Sequence, residues 1–143
     1  AEVGTGPFVV LALAHGLENA RKVLPLNSDV ALLRWRQRDG SLDHLGWLGA
    51  ELDRRGEGDF LTLSPSAQHD ALAALDAAAY APDVQDHPWR TLKTLILTGY
   101  YTSEVGGSQE LRFELVPGSY DPDIPLAPGD RAWSSDWTAV DFG

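Results

Sequence analysis

The sequence predicts an all-α protein: a small bundle of about four helices followed by a long, extended and mostly irregular C-terminal arm. Two observations predict this fold. Through residues 7–103, apolar residues recur every three or four positions, as on one face of a helix. Residues 104–143 instead carry prolines, glycines and aromatic rings without a helical period. We therefore divide the chain into a helical domain, residues 1–103, and an arm, residues 104–143.

Prolines, glycines and capping hydroxyls mark the ends of the predicted helices. Ser41 and Ser64 offer N-caps, and Gly56 offers a left-handed end to the second helix. Residues 29–40 fit a short helix or a strand, and we favour irregular or helical structure there. The four predicted helices are Pro7–Leu24, Ser41–Gly56, Pro65–Ala81 and Trp89–Ser103.

The arm begins with a glycine turn and one short amphipathic strand. Gly106 and Gly107 supply the backbone freedom that ends the fourth helix. From residue 111 to 116 apolar and polar residues alternate, and a Pro-Gly pair then turns the chain. Because the sequence offers no convincing second strand, something else must cover this one. The candidates are its own helices, another copy of the chain, or a different protein.

Composition limits the classes of partner. The 143 residues are 43% apolar, which is enough for one domain with a real core. The net charge of -10 and the scattered arginines argue against nucleic acid. The longest apolar run, Phe8–Ala14, is far short of the roughly 20 residues that span a bilayer. The sequence starts at Ala1 without a charged-then-apolar leader, as expected of a processed product.

The sequence carries no recognisable catalytic or metal-binding motif. There is no cysteine and no G-x-S-x-G elbow, and the histidines lack zinc spacing. We therefore expect no catalytic residue, no bound cofactor and no metal in this chain. His15 is expected on the apolar, core-facing side of its helix, while His69 and His87 are expected to face solvent.

Aromatic rings at the end of the fourth helix and along the arm are the predicted partner contacts. Buried tyrosine and tryptophan anchors dominate protein interfaces, so we favour a partner over packing against the chain's own helices. Glu104 can either cap local backbone donors or pair with an arginine of another subunit, and both roles stay open. The predicted partner-binding residues are Tyr100, Tyr101, Glu104, Phe113, Tyr120, Trp133 and Trp137.

The second half of the chain has a characteristic order of motifs. A leucine-rich helix leads into the turn Gly99–Glu104 and the hinge Val105–Gly107, followed by Val116–Gly118 and Pro125–Leu126. This order resembles the C-terminal signature of the gluconate 2-dehydrogenase subunit 3 family. With the helix that begins at Ser64, the resemblance covers roughly residues 60–133.

The resemblance implies a non-catalytic small subunit of a flavin-dependent sugar or polyol dehydrogenase of the glucose-methanol-choline type. It places FAD in a large partner subunit, with a cytochrome c subunit or a quinone as a common electron acceptor. It implies assembly, stability and export of that partner as the tasks of the small subunit. Such subunits usually begin with a twin-arginine leader. The expected location is the periplasm, with attachment to the membrane through partners.

Two other classes of function stay open at this point. The chain can be a self-contained helical ligand-binding or regulatory domain, which would give a colourless, well-folded monomer. It can also be a small hydrolytic enzyme, which would turn over an ester or a sugar in isolation. A small subunit would instead co-purify with a yellow flavoprotein.

Overall fold

The fold is mostly helical, as predicted. The computed structural model describes residues 3–112, 123, 125 and 127–132, and it shows no strand within those residues. Four of the helices have seven or more residues, which agrees with the predicted bundle of about four. The helices are α1 (Thr5–His15), α2 (Val30–Leu33), α3 (His44–Arg55), α4 (Pro65–Ala79) and α5 (Pro88–Tyr101), with short 3-10 helices at Leu17–Asn19 and Phe60–Thr62 and a π-helical turn at Gly106–Glu110.

Helix α1 is shorter than predicted. It ends at Gly16, which adopts a left-handed conformation (φ 78°) and donates its backbone N–H to the last carbonyls of the helix. Glu18 and Asn19 are left-handed as well (φ 54° and 58°), so the chain cannot continue as a helix to Leu24. The predicted first helix was therefore wrong at its C-terminal end. His15, expected in the core, is exposed in the last turn of α1.

Side-chain hydrogen bonds set the start of α3. The Asp39 carboxylate accepts from the Ser41 hydroxyl at 2.6 Å and from Arg21 at 2.5 Å, so Ser41 is held in the preceding loop. Asp43 caps the helix instead, because its carboxylate accepts from the Gly46 N–H at 3.0 Å. The predicted Ser41 cap was wrong.

The end of α3 also differs from its prediction. Gly56 has a φ of −82°, which any residue adopts, rather than the expected left-handed end. The packing around it is close: a Cβ at this position would lie 2.5 Å from Leu63 Cδ1. A glycine is thus favoured at position 56 because Leu63 leaves no room for a Cβ, and not because of the backbone angles.

Helices α4 and α5 begin where the sequence predicts. The Ser64 hydroxyl accepts from the Ala67 N–H at 3.3 Å, and a proline follows at the first helical position. At the start of α5, His87 Nδ1 accepts from the Trp89 N–H at 3.2 Å. The edge of the His87 ring meets Trp47, with centroids 5.5 Å apart. His87 is therefore a half-buried cap, and its predicted solvent-facing position was wrong.

The core lies around α5, which contacts α1, α3 and α4. Its Leu92 and Leu95 are fully buried, as is Leu75 of α4. Burying a side chain of this size contributes about 1.5–3 kcal/mol. Trp47 and Trp89 also belong to this core.

Helix α1 lies antiparallel to α5. Its first turn reaches the end of α5, where Phe8 packs against Gly99, and Asn19 beyond its far end shares a groove with Thr91 at the start of α5. Within the residues that the structure describes, no helix combines the length and apolar character needed to cross a membrane.

Candidate partner interface

The C-terminal end of α5 presents the first two predicted partner contacts. The Tyr100 and Tyr101 rings meet edge to face, with centroids 5.2 Å apart and planes at 80°. Tyr101 is 43% exposed, while Tyr100 is half-buried. Desolvation and a hydrogen bond to Glu110 raise the pKa of Tyr100 above its ordinary value. Tyr100 is therefore partly covered by its neighbours, whereas the Tyr101 ring is exposed, and its contact with a partner stays a prediction.

The turn after α5 is closed by Ser103. Its hydroxyl donates to the Tyr100 carbonyl and accepts from the Gly106 N–H at 3.1 Å. Gly106 is required by this close approach, because a Cβ there would lie 2.0 Å from the Tyr100 carbonyl oxygen. The capping role that the sequence allowed for Glu104 is thus performed by Ser103. The Glu104 side chain is exposed, and its pairing with another subunit stays a prediction.

The described part of the arm folds back beside this turn. The Arg112 N–H donates to the Ala132 carbonyl at 2.8 Å, and the Arg131 guanidinium donates to the Ser108 carbonyl at 2.8 Å and to the Leu111 carbonyl. A tight turn precedes Arg131, where the Asp130 carboxylate accepts from the Ala127 N–H at 2.7 Å. These bonds attach residues 127–132 to the segment that follows α5.

The remaining predicted contacts cannot be placed. Phe113, Tyr120, Trp133 and Trp137 lie outside the described residues, as does all but the beginning of the predicted strand at 111–116. The assignment of these residues to a partner stays a prediction, and so does the division of the chain at residue 104.

Helix α1 carries a second exposed surface that the sequence reasoning missed. Val10 is 54% exposed and Leu11 is 59% exposed, and the adjacent Ala14 is exposed too. We call these three residues the outward face of α1. The opposite side of the helix, with Val9 and Ala12, is buried in the core. The sequence feature that indicates this surface is the uninterrupted apolar run Phe8–Ala14, since a helix with one solvated side normally carries polar residues on that side.

A groove of about 480 Å³, with both apolar and charged residues in its lining, lies away from the C-terminal end of α5. His44 and His87 line it, and burial lowers the pKa of both below the usual histidine value. His44 Nδ1 lies 3.1 Å from the Leu42 carbonyl oxygen, and His87 Nδ1 caps α5. Each ring thus has one nitrogen engaged with the backbone, an arrangement that serves structure. Among the described residues, no three histidine, aspartate or glutamate side chains form a group that could hold a metal ion.

Comparison with known proteins decides the family. A family model described as "Gluconate 2-dehydrogenase subunit 3" matches residues 1–118. The chain belongs to this family. No curated protein and no solved structure matches the chain.

The family match changes the extent of the earlier resemblance. The motifs in the sequence pointed to this family from about residue 60 onward, whereas the match also includes the first 60 residues. Helix α1 and the loops that precede α3 are therefore part of the subunit 3 family domain. By its description, this family consists of subunits of a dehydrogenase complex.

Proposed function

We propose that the chain is the non-catalytic small subunit of an FAD-dependent sugar or polyol dehydrogenase of the glucose-methanol-choline type. The observation that carries this proposal is the match of residues 1–118 to the gluconate 2-dehydrogenase subunit 3 family. In this proposal the small subunit assists the assembly, stability and export of the catalytic flavoprotein. The complex lies in the periplasm, attached to the membrane through its other subunits, and passes electrons to a cytochrome c subunit or a quinone.

The proposal assigns FAD to the large subunit. Dinucleotide sites of the Rossmann type use a strand that leads through a glycine-rich turn into a helix. The glycines nearest to such a pattern are Gly4 and Gly6, but Val9 stands where the motif has its third glycine. This segment does not fit an FAD cradle, which supports placing FAD in the large subunit.

The exposed end of α5 supports a role in binding another subunit. Tyr101 is an aromatic side chain held at a fixed helix end, and Glu104 places a carboxylate close to it in sequence. Rigid aromatic anchors contribute more to binding than scattered surface contacts do. An arginine of the partner can pair with Glu104 and fix the orientation of the contact.

Co-expression tests the proposal. The chain carries an affinity tag and is produced together with the large flavoprotein subunit encoded in the same genome. We expect a complex with the absorbance of bound flavin, and we expect the flavoprotein to be less soluble when produced alone. A colourless, monomeric product from co-expression with a soluble, separate flavoprotein would contradict the proposal.

The groove at His44 and His87 supports a second candidate function, a self-contained ligand-binding domain. At about 480 Å³ the groove is large enough for a small metabolite, and Lys22 and Asp29 add charges of both signs at its border. Thermal unfolding of the isolated chain with a library of small acids and sugars tests this candidate. A ligand that raises the midpoint, and loses its effect in a His44→Ala variant, would favour it.

A further inference from the structure

Helix α1 is apolar on every side. From Pro7 to Ala14 it contains no charged or polar side chain. One side, with Val9 and Ala12, is already buried against the core, but Val10 and Leu11 remain more than half exposed. Helices that are apolar all round are buried in folded proteins, and solvated helices carry polar residues on their outer face. The outward face of α1 therefore lacks the surface that would normally cover it.

Grooves flank this face on both sides. One groove, of about 410 Å³, is lined by Phe8, Leu11, His15 and Leu17. The other, of about 320 Å³, borders Val10, Leu13 and Ala14. A ridge between two grooves is the shape that packs against the ridges of another helix. Leu17, 46% exposed, extends the apolar surface beyond the end of α1.

Charge argues against two possible covers of this face, a membrane surface and a second copy of the chain. Helices that lie on membrane surfaces carry lysine or arginine free to meet lipid headgroups, whereas Arg21, which lines a groove beside this face, is bound to the Ala14 carbonyl and the Asp39 carboxylate. A second copy of the chain would bring the same net charge of -10 to the contact, which opposes self-association. A different protein with an apolar strip and a neutral or basic rim meets neither objection.

We infer that the outward face of α1 docks against the other subunit of the dehydrogenase, in addition to the contact at the end of α5. This inference rests on the proposed function, since it names that partner. The two surfaces are joined through Phe8, which lines the groove beside Leu11 and packs on Gly99 next to Tyr100. A partner that spans both would hold the small subunit by α1 and by the end of α5 at once.

The test compares two exposed leucines in the co-expressed complex. Leu11→Glu puts a charge on the outward face of α1, and Leu61→Glu puts one on the loop after α3, where the side chain is 82% exposed. We expect Leu11→Glu to weaken the affinity for the flavoprotein at least about tenfold, because a charge would be buried in the contact. Leu61→Glu should stay within about twofold of the wild type. Circular dichroism confirms that both variants fold, and Val10→Ser replaces Leu11→Glu if that variant does not.

The outcomes separate the inference from the proposed function. If the wild type does not bind the flavoprotein, both are overturned. If the wild type binds and Leu11→Glu or Val10→Ser binds equally well, the α1 inference alone is overturned. Sedimentation of the isolated chain tests whether a second copy covers this face, and flotation with anionic vesicles tests whether a membrane surface does. A dimer, or vesicle binding, that Leu11→Glu abolishes would also overturn the inference.

Discussion

The ring of Phe8 occupies the space that a side chain at Gly99 would need: a Cβ at residue 99 would lie 2.6 Å from Phe8 Cδ1. This contact sets how closely α1 approaches α5. It also explains why a helix interior tolerates a glycine, which costs about 0.5–1 kcal/mol relative to alanine in that position.

We expect Gly99→Ala to destabilise the protein. The added methyl group would force Phe8 or α1 outward, and such overpacking typically costs about 1–3 kcal/mol, more than the gain in helix propensity. The free energy of unfolding in urea measures the effect. Gly49→Ala is the control, because Gly49 lies in α3 and a Cβ added there would meet no atom within 4 Å. That variant should be about 0.4–1 kcal/mol more stable than the wild type. Equal effects of the two substitutions would contradict the assigned role of Phe8.

The Asp76 side chain of α4 binds two side chains of α5, and we expect its removal to lower the free energy of unfolding. The carboxylate accepts from the buried Trp89 indole N–H at 2.7 Å and from Lys93 at 2.7 Å. Asp76→Ala would leave the indole without a partner, at a cost of about 1–3 kcal/mol. Asp76→Asn retains an acceptor oxygen for the indole and should cost less. Urea unfolding monitored by tryptophan fluorescence provides the measurement.

Lys93→Met is the matched control for Asp76. It removes the ion pair, which is solvent-accessible on both sides, and leaves the Trp89 bond intact. We expect it to unfold close to the wild type. A Lys93→Met variant as unstable as Asp76→Ala would show that the ion pair, and not the indole hydrogen bond, stabilises the contact between α4 and α5.

Stability should fall as the solution becomes mildly acidic. Burial lowers the pKa of His44 and of His87 below the usual 6.5. The unfolded chain therefore takes up protons at pH values where the folded chain does not. The free energy of unfolding is therefore highest above pH 6.5, and it falls as the pH drops from there through the lower pKa values of the folded histidines. Urea unfolding at a series of pH values measures this dependence.

Asparagine substitutions compare the half-buried His87 with the exposed His69. His87→Asn keeps a side-chain acceptor for the Trp89 N–H, so it should fold while its stability depends less on pH. His69→Asn, at an exposed position of α4, is the matched surface control. A His87→Asn profile that is as steep as that of the wild type would exclude His87 as a source of the acid sensitivity.

The parts of the fold that local chemistry determines could be predicted from the sequence. The starts of α4 and α5 were predicted to within one residue, because each helix has a proline at its first position; the Ser64 cap of α4 was predicted, and the His87 cap of α5 was not. The start of α3 depends on Asp43, whose carboxylate accepts from the Gly46 N–H, while Asp39 binds Ser41 in the preceding loop. Serine and aspartate are both good capping residues, so the pattern alone did not show which of Ser41 and Asp43 caps the helix.

The assignment of the candidate interface stays a prediction, but the structure shows which surfaces are exposed. Tyr100 and Tyr101 were chosen because aromatic anchors dominate protein interfaces, and in the structure their rings contact each other while Tyr101 is 43% exposed. The outward face of α1 was missed because the sequence alone does not show which side of an apolar helix the core covers. Only the packing of Phe8 on Gly99 and of Val9 and Ala12 in the core determines that Val10 and Leu11 point outward.

Tyr101→Ala should weaken the complex with the flavoprotein without unfolding the isolated chain. The ring is 43% exposed and its edge contact is with Tyr100, so its removal leaves the α5 core leucines untouched. Interface tyrosines that act as anchors cost roughly tenfold or more in affinity when truncated. Tyr80→Ala is the control. Tyr80 is 49% exposed and lies under Arg90 and Lys93 at the other end of α5, so its loss should leave binding unchanged. If the affinity of Tyr101→Ala equals that of the wild type while Tyr80→Ala binds weakly, the contact lies at the start of α5 instead.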